Sequence, residues 1–176
     1  MKQGSVSSFL ITEKDYVNMS LERLKYITPT ANKIFLTAAG MLAIVTGSSL
    51  FIFYRGGVFF IICQLILIVA GLYMVSYSDV INPYITRTAA VKYYRYYQKS
   101  IFSKTVIISD DTIKIRDESH SLVLTGDMIF HIAEGKYTIF IYTDPGEFTF
   151  IPKRAMSEEQ LELLRKLIPG DRIIKI

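Results

Sequence analysis

The chain has 176 residues, of which 51% are hydrophobic, with 20 Lys and Arg against 16 Asp and Glu for a net charge of +4. The single cysteine excludes an intramolecular disulfide, and no Cys/His cluster offers a metal site. The charge is uneven: residues 1–102 hold ten basic and four acidic residues (+6), residues 103–176 ten and twelve (−2), which argues against nucleic acid as a partner.

Four segments follow in chain order. Residues 1–33 begin with a strand-like stretch, 5–11, and Thr12 as N-cap of a helix running to about residue 27. That helix places Tyr16, Val17, Leu21, Leu24 and Ile27 broadly on one side and Glu13, Lys14, Glu22 and Arg23 elsewhere on its surface. Thr28-Pro29 ends it, because the residue before a proline is pushed out of the helical region.

Residues 34–54 and 58–77 are two uncharged apolar runs joined only by Arg55-Gly56-Gly57. Each is long enough for a core about 30 Å thick, and so short a connector predicts an antiparallel transmembrane hairpin over 34–77. Lys14, Arg23, Lys25 and Lys33 precede it and Arg87, Lys92, Arg95, Lys99 and Lys104 follow it, so both termini are expected on the cytoplasmic side. Ala39, Ala43 and Gly47 form a small-residue packing stripe. Gln64 is the one strongly polar side chain in the second span, expected to make a polar contact within the membrane, and Cys63 reads as a small apolar residue. No charge lies mid-span, which disfavours a channel or transporter.

Residues 78–102 open with Asn82-Pro83, a predicted break, and continue as a helix to about residue 99. Thr88, Lys92, Arg95 and Lys99 share one face, and Ala90, Tyr93, Tyr94 and Tyr97 the opposite one. Arg87, Lys92, Arg95 and Lys99 are candidate contacts to an anionic lipid surface. The alternative is that the tyrosines pack on the soluble domain and the charges stay solvated.

From residue 103 the pattern alternates, predicting short strands over 105–109, 113–116, 122–124, 128–132, 137–142 and 148–151. Ser157 and Gln160 have capping-box spacing before a helix with Leu161, Leu164, Leu167 and Ile168 on one stripe. The fold class expected is an α+β membrane protein: a two-helix hairpin plus a small antiparallel sheet or partial barrel of pleckstrin-homology type, closed by a C-terminal helix.

The chain resembles the YcxB-like bacterial membrane proteins. The resemblance rests on Thr12-Glu13-Lys14-Asp15-Tyr16, on the hairpin, and on Phe150-Ile151-Pro152-Lys153-Arg154 leading into Ser157-Glu158-Glu159. It implies a bacterial inner-membrane protein anchoring a pleckstrin-like cytoplasmic domain, with Ile151, Pro152 and Lys153 as a structural motif and no catalytic residues carried over. Acidic loops at Asp110-Asp111, Asp117-Glu118 and 144–147 argue against phosphoinositide binding. His120 and His131 lack a nucleophile and orienting partner, and Lys153-Arg154 reads as a solvated pair. The expected function is therefore that of a non-enzymatic adaptor or regulator, without cofactor. Its partners would be the lipid bilayer, a protein docked at a sheet edge near Ile139 or beside the C-terminal helix, and a second copy of the chain as a further candidate. The alternative is a membrane-resident immunity or resistance factor against an envelope-directed toxin or peptide.

Overall fold

The computed structural model describes residues 5–53, 56–97, 103–117 and 121–176. Arg55, Lys99, Glu118 and His120, each singled out above, lie outside these residues. The chain divides into two compact units, Leu24–Thr86 and Met1–Arg23 with Arg87–Ile176.

In the first unit, α2 (Thr30–Phe53) and α3 (Val58–Ser76) pack along their length as an antiparallel pair. Both are long and apolar enough to cross a membrane, and few of their residues are buried inside the protein. The closest approach is made by glycines: a Cβ on Gly71 would lie 2.6 Å from the Gly40 carbonyl oxygen and 3.0 Å from the Ile44 backbone nitrogen. Gly47 meets Gln64 and Ile68 in the same way. Of the predicted stripe, Gly47 is buried, whereas Ala39 and Ala43 are only partly covered, because the seam runs through Gly40, Ile44 and Gly47.

The predicted break at Asn82-Pro83 is a π turn. Pro83 cannot donate a backbone hydrogen bond, and its ring crowds the carbonyl four residues back. The helix absorbs this over Tyr77–Ile81, where the Asn82 N–H reaches the Tyr77 carbonyl, and α4 (Asn82–Tyr97) follows directly.

The second unit holds two four-stranded sheets. The first, in the order β1-β2-β3-β4, is antiparallel: β1 (Ser5–Leu10), β2 (Ser103–Ile108), β3 (Thr112–Arg116) and β4 (Ser121–Thr125). The second has the order β7-β6-β5-β8: β5 (His131–Glu134), β6 (Thr138–Tyr142), β7 (Phe148–Pro152) and β8 (Ile173–Lys175), with β8 parallel to β5. The six strands expected as a small antiparallel sheet thus omit a parallel one. Met128 lies in a 3-10 turn, so the strand predicted from residue 128 starts only at His131.

Between the sheets lies one apolar core that includes Val106, Ile108, Ile113, Ile132, Ile139, Ile141 and Ile151, with Leu164 and Ile168 of the C-terminal helix segment packed into it. Each such side chain contributes about 1.5–3 kcal/mol by leaving water. α5 (Glu158–Leu167) starts at a complete capping box: Gln160 N–H donates to the Ser157 hydroxyl and Ser157 N–H donates to the Gln160 side chain. Ser7 of β1 also donates to Gln160, at 3.0 Å, tying the first strand to the last long helix.

Candidate functional site

β6 is buried along its whole length, which one sheet layer cannot explain. Ile139 and Ile141 face the core, while Phe140 and Tyr142 face the other way among Phe148 and His131. α1 (Glu13–Ile27) covers that second face: Tyr16 meets Phe150, and the Arg23 guanidinium lies 4.3 Å from the centre of the Phe148 ring. Ile139 is therefore on an interior strand and almost wholly buried, so the sheet edge expected there lies elsewhere.

Tyr16 of the expected apolar side makes such a contact, but the residues α1 buries are others. Its buried residues are Asp15, Met19 and Glu22. Ile27, placed on the apolar side by periodicity, is exposed. Two carboxylates can face inward because each meets a specific donor. Glu22 Oε1 accepts the Tyr137 backbone N–H at 2.7 Å. Asp15 accepts from the Thr12 N–H and hydroxyl at 2.8 and 2.7 Å, while Thr12 Oγ1 accepts the Asp15 N–H. Arg154 then closes on both Asp15 oxygens. Burial alone would raise the Asp15 carboxyl, but the hydrogen bonds from Arg154 and Thr12 outweigh it and hold it below the usual carboxylate range.

Lys153 and Arg154 are thus not a solvated pair. Lys153 and Arg165 both reach Glu134 Oε1 at 2.7 Å. Desolvation pushes Glu134 up, and the two cationic hydrogen bonds bring it below its ordinary value. Ile151 and Pro152 are buried, so the Ile-Pro-Lys-Arg run turns the chain from the core to two ion pairs. His131 is buried, stacks on Tyr142 with ring centres 4.3 Å apart, and is driven down by desolvation.

Residues 108–168 match the YcxB-like protein family. The YcxB-like segment runs from the last residue of β2 to the residue after α5 and holds Glu134, Lys153, Arg154 and the capping box, while Asp15 lies outside it. No curated protein and no solved structure matches the chain.

The tyrosine helix takes its packed form. Tyr94 is buried and donates to the Ile11 carbonyl at 3.1 Å, and Tyr93 stacks on Tyr16 with ring centres 5.5 Å apart. Arg87, Lys92 and Arg95 are exposed, Arg95 beside Glu13 at 3.2 Å. Gln64 is buried against α2 and lines an apolar cleft of about 270 Å³ with Leu50, Phe60, Cys63 and Leu67. Its side chain makes no hydrogen bond among the described residues.

A larger groove, about 410 Å³, is lined by Leu122 of β4 and by Thr143, Gly146, Glu147, Phe148 and Thr149 of the β6–β7 hairpin. The sequence hints at it only through Asp144-Pro145-Gly146, which marks the turn but not what the turn faces. Among the described residues no three His, Cys, Asp or Glu side chains gather as a metal site.

Proposed function

We propose that the chain is a non-enzymatic protein of the bacterial inner membrane, its hairpin anchoring a cytoplasmic, YcxB-like domain that acts as an adaptor through protein contacts. The observation that carries the anchor is the outward apolar surface of α2 and α3: Phe35, Ile52, Val58 and Phe59 are each more than 70% exposed. A soluble protein leaves no such continuous apolar surface in water, whereas lipid accepts it. The adaptor reading is supported by where the charges go. Asp15 and Glu134 are each held by cations in structural contacts, which leaves them unsuited to acid-base work, whereas the acidic groove beside β4 is open.

Two measurements on the intact chain test this. After alkaline extraction of cell membranes the protein stays in the pellet; release into the supernatant overturns the anchor. In-cell photo-crosslinking from Val123 captures one defined protein, and the same probe at Gln64 captures lipid. Capture of a protein only at Gln64 moves the function into the hairpin and favours the immunity or resistance reading.

A further inference from the structure

Sheet edges are where an extended chain can add, because an edge strand has a row of backbone groups without ladder partners. β4 is the last strand of the first sheet. Antiparallel pairs bond at alternate residues, and the phase is set by the β2–β3 turn, where the Ser109 N–H donates to the Thr112 carbonyl at 2.9 Å. Thr112, Lys114 and Arg116 therefore bond toward β2, and Ile113 and Ile115 toward β4. Their partners Leu124 and Leu122 use their backbone groups in that ladder, so Ser121, Val123 and Thr125 turn theirs outward.

Side chains along this edge lack the usual protection. Leu122 and Val123 are 42% and 45% exposed, and β4 carries no lysine, proline or inward charge. The open groove beside them is lined by Leu122, Phe148 and Glu147, with Asp144 in the same turn and the Arg23 guanidinium over the Phe148 ring. Asp144 and Glu147 are exposed and form no ion pair among the described residues. Lys114 and Arg116 of β3 stand cross-strand from Val123 and Ser121, so a cationic side chain is favoured at the turn end of the site, where Asp144 and Glu147 lie.

We propose that the outer edge of β4 and the adjoining groove dock an extended cationic peptide segment of a partner protein, added antiparallel or parallel on Val123, with apolar residues over Leu122 and Phe148 and a lysine or arginine against Glu147. This deepens the adaptor reading and rests on it. Pairing to the backbone supplies affinity, and the carboxylates select the charge.

The test uses the full chain in neutral detergent micelles and three kinds of fluorescent pentapeptide. One is Lys-Val-Lys-Val-Lys, one is Glu-Val-Glu-Val-Glu, and one is the cationic peptide N-methylated at every second amide, made in both phases. The cationic peptide binds with protection of the Val123 amide from hydrogen exchange, and one methylation phase weakens it about tenfold or more by removing backbone hydrogen bonds. Val123→Pro does the same while sparing the β3 ladder, which uses Leu122 and Leu124. Glu147→Lys weakens the cationic peptide and strengthens the anionic one. Equal binding of the unmethylated and both methylated peptides, unchanged binding by Glu147→Lys, or no binding by any peptide overturns the β4 site. If defined in-cell capture persists from another surface, the adaptor reading survives that failure; if capture fails everywhere, both fall.

Discussion

Asp15, in the first turn of α1, and Arg154, in the 3-10 turn after β7, form a two-pronged ion pair across 139 positions of sequence. Arg154 also donates to the Leu10 carbonyl at 2.8 Å, so one guanidinium holds the end of β1, the start of α1 and the end of β7. The two sequence motifs that stand farthest apart in the chain are therefore the two halves of one contact.

Removing either half leaves the other without its partner in a partly buried place. Arg154→Leu and Asp15→Asn are each expected to cost about 2 kcal/mol, less than a fully buried pair because the Arg154 side chain is half exposed. The double variant should cost less than the two singles summed, as residues in contact do. Denaturant unfolding followed by circular dichroism measures all three, and strict additivity would refute the coupling.

Acid should act through the same pair and through Glu134. Both carboxyls sit below their ordinary values when folded, so their stabilisation is fully present above the unfolded carboxylate range and is lost as pH falls through the folded values. The melting temperature should drop steeply below about pH 4. Asp15→Asn should flatten part of that drop.

His131 gives an earlier step. Its folded value lies below the ordinary 6.5, so the unfolded chain takes the proton first and stability begins to fall as pH drops below about 6.5. The loss is complete once pH passes the folded value. His131→Phe retains a ring against Tyr142 and removes the titration, so its melting temperature should stay level between about pH 6.5 and 5 while the parent's declines. Parallel curves would show that His131 is not the group responsible.

The hairpin should be sensitive at its glycine contact. Gly71→Val places methyl groups where the Gly40 carbonyl and the Ile44 backbone already stand, and backbone cannot give way as a flexible side chain can. On the proposed anchor reading insertion should survive, because apolar length is unchanged, but cysteines introduced across the seam should crosslink more slowly than in the parent. Undiminished crosslinking would mean that the helices separate without cost.

How much of this was legible follows from the range of each interaction. The two long apolar helices, the Thr12 cap and the Ser157–Gln160 box were readable because their determinants are contiguous in sequence, and the structure forms both caps with the expected hydrogen bonds. Pairing of β1 with β2 was not readable: Ser8 meets Thr105 across 97 residues, and nothing in either segment names the other. β8 is only three residues long and parallel to β5, so it carries no alternation long enough to register. The groove escaped for the same reason, since Leu122 lies in the first sheet and Glu147 in the β6–β7 turn of the second. Glu22 was misplaced because periodicity counts a carboxylate as surface and cannot see that a backbone donor awaits it.

That contact makes the last prediction. Glu22 Oε1 accepts the Tyr137 N–H at 2.7 Å, its Oε2 is buried without a partner among the described residues, and a Cβ at position 135 would overlap the same carboxylate. Glu22→Ala orphans the Tyr137 N–H and should cost about 1–3 kcal/mol. Gly135→Ala should also destabilise, by displacing the carboxylate from the turn. Once Glu22 is alanine the clash is gone, so adding Gly135→Ala should then cost little or nothing. A thermodynamic cycle over the four proteins measures this: equal cost of Gly135→Ala in both backgrounds would show that the glycine is needed for its backbone, not to make room for Glu22.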